Sequence, residues 1–353
     1  MGILSAEVLG KLKEEAVNAE KIRKLTDSQL EIIYSQNLFN LFVPKYLGGL
    51  ELNLLEGLQL QEVIAKLDGS LGWTVTLCSG ANAFVGYLSG KLAENIFKDP
   101  KVCFGGSGKI GGVAEESQDG YLINGKWSYV TGIPHVNVFT ANCQIKKNGK
   151  MLTCDKGTPI YKSFIFFPEE VKIIEDWNTI GLIATASHSY TVENLFVKKE
   201  RSFLIKAECR SIDLLIYKYP FLTFAELTLA VNHLGMQKHF FDLVETIFNS
   251  IQEPLHKEFR TQFLKNANHN FQERRALFYK YVEDSWNELE KTENVSHELL
   301  SKISIICREI VKEGRETALQ LYPYLGILAS NPITEINRIL RDILTASQHS
   351  LLL

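Results

Sequence analysis

The sequence predicts an α+β protein of three parts: an N-terminal all-α domain, a central antiparallel β-barrel-like domain and a C-terminal four-helix bundle. Helical periodicity with capping signals covers residues 1–101. Short β-branched and aromatic runs between Gly, Asn and Asp turns cover residues 102–206, which is typical of an antiparallel sheet. Apolar residues return to helical spacing over residues 207–353, so a bundle is expected there.

Composition narrows the class of protein. The 353 residues are 45% hydrophobic and 22% charged, as in an ordinary globular protein with a large core. The net charge of −3 lacks the basic surplus of nucleic-acid-binding proteins, so we expect no nucleic-acid partner. No apolar run approaches the length of about eighteen residues that a membrane span needs. Six scattered cysteines and an N-terminus without a secretion signal predict a cytoplasmic protein with reduced thiols.

Two capping signals organise the first part of the chain. Thr26-Asp27-Ser28-Gln29 has the capping-box pattern that precedes a helix. Asp68-Gly69-Ser70 ends one helix and begins another, which carries Trp73. We expect Trp73 to lie in the core, because large aromatic side chains dominate buried area.

The stretch Gly120–His135 is the most informative segment of the middle part. Its Asn124-Gly125 pair predicts a type I′ hairpin turn, because both central residues of that turn need positive φ. The strand that follows places Trp127 and Tyr129 on one face. It ends at Thr131-Gly132, where a hydroxyl, backbone N–H groups and a missing side chain suit a flat ligand. An ordinary hairpin in a sheet is the alternative interpretation.

A glycine-rich segment, Gly105–Gly112, precedes this stretch. It is not a P-loop, because Ile110 stands where Ser or Thr must follow the lysine. It is not a dinucleotide-binding fingerprint either, since no helix with an acidic partner follows at the required distance. We therefore predict a flexible loop at this segment.

The last helix is predicted to begin at Asn331-Pro332, an N-cap residue followed by proline at the first helical position. Four polar residues then fall on one stripe of the helix, opposite its apolar residues. The stripe consists of Arg338, Asp342, Thr345 and His349. It is either a solvated face or part of a site, because a neutral histidine can donate or accept a proton near pH 7.

Two segments of the middle part resemble the acyl-CoA dehydrogenase superfamily. Gly120–Gly132 matches its motif G-Y-x-x-x-G-x-W followed by a Ser/Thr-Gly step, and Asp176–Ser189 contains its motif W-x-x-x-G-(M/L)-x-x-T-x-S. The first part also resembles the superfamily, in P-x-x-x-G-G from Pro44 and D-G-S-x-x-W from Asp68. The closer resemblance is to the branch that uses reduced flavin and oxygen, such as the oxygenase components of 4-hydroxyphenylacetate hydroxylase and dibenzothiophene monooxygenase.

The resemblance implies FAD or FMN bound between the β-domain and the bundle, supplied in reduced form by a separate reductase. The residues it assigns to flavin binding are Trp127, Thr131, Gly132, Trp177, Thr185, Ser187 and Arg341. It assigns catalytic roles to Thr131, which replaces a serine near flavin N5, and to His349, which follows the R-x-x-R-D helix beside the flavin. Ala186 replaces a glycine that is common in the second motif. His135 and His188 follow the two motifs, and each is as consistent with a core or surface position as with the site.

We therefore expect a flavin-dependent oxidoreductase, specifically a reduced-flavin-dependent monooxygenase acting on a small organic substrate. The alternative is an acyl-CoA dehydrogenase with a displaced base, because Ser350 aligns with the catalytic Glu of that superfamily and its hydroxyl is not basic enough. Glu226 and Glu245 are the candidate stand-ins for that base. A relative that binds flavin or another small molecule without turnover is a third possibility.

The same resemblance implies a homotetramer, a dimer of dimers held mainly through the C-terminal bundle. The apolar segment Leu351–Leu353 agrees with this, because a monomer would expose it. We predict no metal site, since His233 and His239 lie six residues apart on a helix and face different directions.

Overall fold

A computed structural model describes residues 4–251 and 256–353, and in that part of the chain helical regions flank a mixed β-sheet. This agrees with the predicted α+β class. The boundaries at residues 101 and 206 between the three parts stay predictions. In the described ranges, no helix is both long and apolar enough to cross a bilayer.

From residue 4 onward, six α-helices form the N-terminal part: α1 (Ala6–Glu14), α2 (Ala16–Ile22), α3 (Asp27–Ser35), α4 (Leu54–Leu67), α5 (Gly69–Asn82) and α6 (Gly90–Ile96). Both predicted capping signals are confirmed. The Thr26 hydroxyl accepts from the backbone N–H of Gln29, and the Gln29 side chain accepts from the N–H of Thr26. Asp68 ends α4, and its carboxylate caps α5 by accepting from the N–H of Leu71 at 3.0 Å. Trp73 is buried, as expected.

In the part of the chain that the structure describes, eight strands form the sheet: β1 (Phe104–Glu116), β2 (Gly120–Val130), β3 (Val138–Lys147), β4 (Lys150–Met151), β5 (Tyr161–Phe166), β6 (Lys172–Ile174), β7 (His188–Lys198) and β8 (Ser202–Phe203). The strands follow the order β6-β7-β2-β1-β3-β5-β8, and β4 pairs with β3. The prediction of an antiparallel sheet is wrong in one pair, because β1 and β3 run parallel. The segment between β2 and β3 therefore crosses the beginning of β1.

The predicted loop at Gly105–Gly112 is wrong, because these residues belong to β1. The glycines have a packing role in the sheet. A Cβ on Gly112 would lie 2.5 Å from the ring of Trp127, and one on Gly106 would lie 2.1 Å from the Thr140 hydroxyl. Two register shifts against β3 accommodate this segment, so its glycine content reflects close approach of neighbours.

The predicted hairpin turn at Asn124-Gly125 is also wrong, because both residues lie inside β2. A positive φ occurs instead in the neighbouring strand, at Asn194 of β7, which pairs with β2. There a bulge places an extra residue in β7, and the Asn124 side chain accepts from the N–H of Asn194 at 2.8 Å. Gly125 meets Gly112 of β1 beneath the Trp127 ring, which leaves no space for a Cβ.

Trp127 and Tyr129 do not share a face, contrary to the prediction. A second bulge lies between Trp127 and Val130, and Tyr129 adopts a φ of +65° in it. The bulge reverses the alternation of side chains, so Trp127 is 1% exposed and Tyr129 is 65% exposed.

The C-terminal part consists of α7 (Phe221–Ser250), α8 (Lys257–Thr292), α9 (His297–Leu321), α10 (Ile327–Ser330) and α11 (Glu335–Ala346). Helix α7 packs against α8, α9 and α11, and also against α4 of the N-terminal part. Most residues of its central segment are buried, which makes α7 the axis of the helical core. The four longer helices agree with the predicted bundle.

The last helix differs from its prediction at both ends. Asn331 ends α10, and the Thr334 hydroxyl caps α11 by accepting from the N–H of Asn337. His349 lies three residues beyond the last helical residue, Ala346, so it does not extend the predicted helical stripe. The stripe is not a solvated face either, because Arg338 and Asp342 are buried.

Candidate active site

Three hydroxyl groups meet where β2 ends. The Thr131 hydroxyl lies 3.0 Å from that of Ser187, which lies 2.8 Å from the hydroxyl of Thr185. The Thr185 hydroxyl also donates to the carbonyl of Leu182 at 2.8 Å. All three hydroxyl residues are buried. The two sequence segments predicted to form one site are therefore brought into direct contact.

Backbone geometry holds the cluster in place. The N–H of Gly132 donates to the carbonyl of Thr185 at 2.8 Å, and Gly132 has a φ of +74°. Leu182 and Ala186 also have positive φ, at 51° and 44°. Two such residues in a short segment are costly, and strained backbone of this kind concentrates at functional sites. Ala186 therefore adopts the conformation that a glycine at this position would adopt without cost.

Trp177 closes one side of this segment. Its indole N–H donates to the Leu182 carbonyl at 3.0 Å, and its backbone N–H donates to Nδ1 of His188 at 2.9 Å. Its ring meets that of Tyr129 edge-on at 6.2 Å. His188 is thus a structural hydrogen-bond acceptor beside the cluster.

Trp127 lies in the interior of the sheet rather than in the hydroxyl cluster. Its ring stacks on Tyr190 at 5.2 Å, and its indole N–H donates to the carbonyl of Asn142 at 3.1 Å. Trp127 is 1% exposed, so its packing in the core is enough to explain why a tryptophan occupies this position. The structure therefore gives no support to the prediction that Trp127 contacts flavin.

Helix α11 is joined to the segment that carries Thr185. The Asp342 carboxylate accepts from the N–H of Leu182 at 2.5 Å, and its second oxygen, Oδ2, is buried without a partner in the described ranges. Burial, together with the nearby Asp68, raises the pKa of Asp342 well above its usual value. Asp68 in turn accepts from Nε of Arg338 at 3.2 Å. Buried polar groups thus connect α5, α11 and the cluster.

Arg341, predicted to bind flavin, is engaged with groups of the protein. Its guanidinium donates to Glu20 at 2.6 Å, to the Ile180 carbonyl at 2.6 Å and to the Asn337 side chain at 2.7 Å. These bonds fix the segment Asp176–Ser189, which contains the second sequence motif, against α11 at Ile180. A positioning role accounts for Arg341 without direct contact to a ligand.

His349 lies beside Trp73, with ring centroids 6.0 Å apart. The N–H of Leu351 donates to Nδ1 of His349 at 3.4 Å, which leaves the Nε2 proton for another acceptor. Burial, reinforced by the positive charge of Lys109, lowers the pKa of His349 from 6.5. The ring is therefore neutral at pH 7 and can serve as a donor or a base.

A surface cleft of about 340 Å³ lies elsewhere on the sheet. It is bordered by Val113, Glu115, Leu122, Asn124, Lys146 and Met151. None of the predicted site residues lines it, and its walls are exposed or half-buried strand residues. The hydroxyl cluster is the better candidate site because it combines buried polar groups with strained backbone.

Comparison with known proteins assigns the fold. The chain is 23% identical to indole-3-acetate monooxygenase of Acinetobacter baumannii over 328 residues, 91% of this chain and 82% of that protein. It is 24% identical to the oxygenase subunit HsaA, a flavin-dependent monooxygenase of Rhodococcus jostii, over 65% of this chain and 60% of that subunit. No protein-family model matches the chain.

Solved structures agree over nearly the whole chain. The HsaA monooxygenase of M. tuberculosis superposes with a TM-score of 0.90 at 20% identity, covering 98% of this chain and 91% of that one. XiaF of Streptomyces sp., solved with FADH2 and glycerol, superposes with a TM-score of 0.87 at 18% identity, covering 98% and 89%. The chain therefore has the fold of these flavin monooxygenase structures.

Two features of the region escaped prediction. His233 of α7 is fully buried, and the backbone of Ala346 faces its ring. Burial lowers the pKa of His233 to about 4, so the ring is neutral. The other histidine of α7, His239, bonds to Glu335 at 2.8 Å, so the two do not form a metal pair.

The second feature is a cluster of Cys78, Cys103 and His135, whose side chains meet beside Gly132. Hydrogen bonding to Cys103 lowers the pKa of Cys78, whereas burial raises the pKa of Cys103. Spacing along the sequence carries no signal for this cluster, because its members come from α5, the start of β1 and the turn after β2. His135 is thus a member of a buried side-chain cluster and not an isolated surface histidine.

Proposed function

We propose that this chain is the oxygenase component of a two-component flavin-dependent monooxygenase. It would take FAD or FMN in reduced form from a separate reductase and hydroxylate a small organic substrate. The observation that carries the proposal is the buried hydroxyl cluster of Thr131, Thr185 and Ser187 at a strained turn. It occurs in a chain whose fold and most similar curated relatives are those of such oxygenases.

The residues present suit a flavin ring. A ring with several nitrogen and oxygen acceptors needs donors on one edge, and the three hydroxyls bond mainly to one another, so each can rotate toward a ligand. The buried Thr345 hydroxyl and Asp342 Oδ2 are also without partners among the residues that the structure describes. Unpaired buried polar atoms are costly, and a polar ligand would relieve that cost. Thr131, Gly132, Thr185 and Ser187 would hold the ring, and Trp177 would border it.

Reduced flavin, when bound, supplies the two electrons that reduce one atom of dioxygen to water while the other enters the substrate. The protein residues supply position and protons. His349, neutral at pH 7 and with its Nε2 proton free, would donate a hydrogen bond or accept a proton from a phenol-like substrate. Trp73 packs against His349 and limits the access of water to it.

The two candidate bases of the dehydrogenase alternative are unsuited to that role. Glu226 is buried, but Ser304 and Arg308 each donate to its Oε1 at 3.0 Å. Glu245 and Ser350 are exposed. An acyl-CoA α-proton would need an unpaired carboxylate within the site, and neither candidate provides one.

The partners follow from the same reading. The proposed enzyme needs a flavin reductase and an organic substrate, and we place it in the cytoplasm, where its cysteines stay free.

We also propose a homotetramer. The apolar segment Leu351–Leu353 gives this assembly less support than expected, because Leu352 is buried within its own chain. Support comes instead from Ile327 and Ile333 near α11, which are 82% and 81% exposed.

The test is anaerobic titration of the purified protein with oxidised and then reduced FMN and FAD, followed by admission of oxygen with a panel of phenols and indoles. Tight binding of the reduced form, and a product that carries one atom from labelled dioxygen, are expected. Bleaching of bound oxidised flavin by an acyl-CoA would instead establish the dehydrogenase. Failure to bind either form would leave a non-catalytic relative without flavin.

A further inference from the structure

Three metal-ligating side chains converge in the interior beside the hydroxyl cluster. Cys78 lies in α5, Cys103 directly precedes β1, and His135 ends the short turn after β2. Their sulfur and imidazole nitrogen atoms all lie within 4.8 Å of one another. Both cysteines are buried, at 1% and 0% exposure, so the cluster lies in the interior.

The fold itself creates this juxtaposition. The segment between β2 and β3 crosses the beginning of β1, which carries His135 over Cys103. Asn137 fixes the crossing, since its side chain accepts from the N–H of Cys103 at 2.8 Å and its own N–H donates to the Cys103 carbonyl at 3.0 Å. The thiol of Cys78 reaches the same point from α5, 3.8 Å from the carbonyl of Thr131.

The imidazole is oriented but has an unsatisfied atom. The His135 ring stacks on Phe39, with centroids 5.4 Å apart and planes 6° from parallel. Among the described residues, its Nε2 is buried without a hydrogen-bond partner. Gly132 borders both donors, because a Cβ there would lie 2.6 Å from Nε2 and 3.1 Å from the Cys78 sulfur. A buried ring nitrogen held beside two thiols, with no partner of its own, is a feature that a bound cation would explain.

We propose that Cys78, Cys103 and His135 bind one zinc ion. Two thiolates and one neutral imidazole are ligands that zinc prefers, whereas calcium and magnesium require oxygen. The charges also agree, because two thiolates neutralise a divalent ion and the resulting complex can be buried without net charge. A monovalent copper ion in the same site would leave a buried negative charge.

The distances are compatible with this ion. Zinc–sulfur bonds of about 2.3 Å and zinc–nitrogen bonds of about 2.0 Å place tetrahedral ligands about 3.8 Å apart or closer. From separations of at most 4.8 Å, two sulfur donors would need to approach by about 1 Å at most, and a sulfur and a nitrogen donor by about 1.3 Å at most. The fourth position would hold a water molecule, as in zinc sites with three protein ligands.

Such an ion would join three elements at one point. It would connect α5, β1 and the turn after β2, which begins at Thr131 and Gly132. It would thereby hold the Thr131 hydroxyl in place without touching a substrate. The inference does not depend on the proposed monooxygenase function, because zinc binding is measured without flavin.

The test is zinc binding by the reduced full-length protein under anaerobic conditions, measured by competition with a chromophoric chelator. The background is a C154S/C209S variant, because these two cysteines are exposed and would bind zinc weakly. One zinc per chain is expected, and Cys103→Ser or His135→Gln should abolish stoichiometric binding. Cys143→Ser is the matched control, since Cys143 is a buried cysteine of β3 outside the cluster.

Two further readouts keep the test decisive if a variant folds poorly. Cobalt added to the parent protein should produce the thiolate-to-metal absorption and tetrahedral spectrum of a site with two sulfur ligands. Zinc should raise the thermal unfolding midpoint of the parent and of Cys143→Ser, because ligands that bind only the folded state stabilise it. No zinc uptake by the folded, reduced parent, or uptake that persists in Cys103→Ser, would overturn the proposal. The proposal would also be overturned if Cys78 and Cys103 were isolated as a disulfide and the protein still bound no zinc after that disulfide had been reduced.

Discussion

The carboxylate of Asp342 accepts a hydrogen bond of 2.5 Å from the backbone N–H of Leu182, a residue with a φ of 51°. This bond joins the last helix to the strained turn that presents Thr185. Close packing reinforces it, because a Cβ on Gly181 would lie 2.1 Å from the carbonyl oxygen of Arg341. Helix α11 therefore sets the conformation of the candidate flavin segment.

The first prediction concerns Asp342. Asp342→Ala would leave the buried Leu182 N–H without an acceptor and should destabilise the protein by about 1–3 kcal/mol. Asp342→Asn keeps the acceptor oxygen, and the raised pKa of Asp342 indicates that an uncharged group is tolerated there. We expect Asn to retain most of the stability in urea unfolding. Equal losses for Ala and Asn would show that the charge, and not the hydrogen bond, is what matters.

The second prediction concerns the hydroxyl cluster. Thr131→Val combined with Ser187→Ala should weaken flavin binding, because each lost hydrogen bond is worth about 0.5–1.5 kcal/mol. The affinity is measured by fluorescence titration with reduced FMN and FAD. Ser163→Ala is the control, since its hydroxyl bonds to Asn142 within the same sheet but outside the cluster. Unchanged affinity in the double variant would place the flavin elsewhere.

The sequence contained enough information for the order of helices and strands and for several local signals. The capping box at Thr26 and the helix break at Asp68 are local, because each depends on hydrogen bonds within three residues. The contact between Thr131 and Ser187 was predicted only through a family resemblance. Physical patterns alone do not pair residues 56 positions apart.

The errors arise where tertiary packing overrides local preference. Asn124-Gly125 has a strong turn signal, yet the ring of Trp127 and the close approach of Gly112 explain its glycine. The cluster of Cys78, Cys103 and His135 depends on a chain crossing that no sequence spacing encodes. Likewise, the polar stripe of α11 resembles a solvated face until its contacts with Asp68 and Leu182 are known.

The third prediction concerns acid stability. The hydrogen bond from His239 lowers the pKa of Glu335 from 4.5 to about 2, with a further contribution from Lys13. As the pH falls, Glu335 thus becomes protonated near pH 4.5 in the unfolded chain but only at about pH 2 in the folded protein. Stability from this group is present above that window and is lost as the pH falls through it. Thermal unfolding midpoints should fall more steeply across this range in the wild type than in Glu335→Gln. Parallel curves would contradict the assignment.

The fourth prediction concerns assembly. If Ile327 and Ile333 lie in a subunit interface, Ile327→Glu with Ile333→Glu should reduce the molar mass measured by light scattering at micromolar concentration. Tyr46→Glu, at a residue that is 70% exposed in the N-terminal part, is the matched control and should leave the mass unchanged. A wild-type monomer at that concentration would contradict the proposed tetramer outright.

The fifth prediction concerns His349. In the proposed function its neutral ring donates a hydrogen bond to reacting oxygen, beside Trp73 and after the end of α11. His349→Ala should leave flavin affinity nearly unchanged, because in the proposed function the main contacts of the flavin ring come from the hydroxyl cluster. Loss of one such donor typically costs about 2.7–4 kcal/mol, so hydroxylation should fall by roughly 10²–10³-fold.

The oxygen consumed by His349→Ala should then appear mainly as hydrogen peroxide. The measurement is the ratio of hydroxylated product to peroxide per reduced flavin oxidised, in single turnovers mixed with oxygen. Gln348→Ala is the matched control, since Gln348 is the exposed neighbour and should keep the wild-type ratio. Because burial lowers the pKa of His349, this ratio in the wild type should fall only at a pH below the usual histidine range, where the ring becomes protonated. An unchanged ratio in His349→Ala would remove His349 from the reaction, and Thr131 would become the residue to test next.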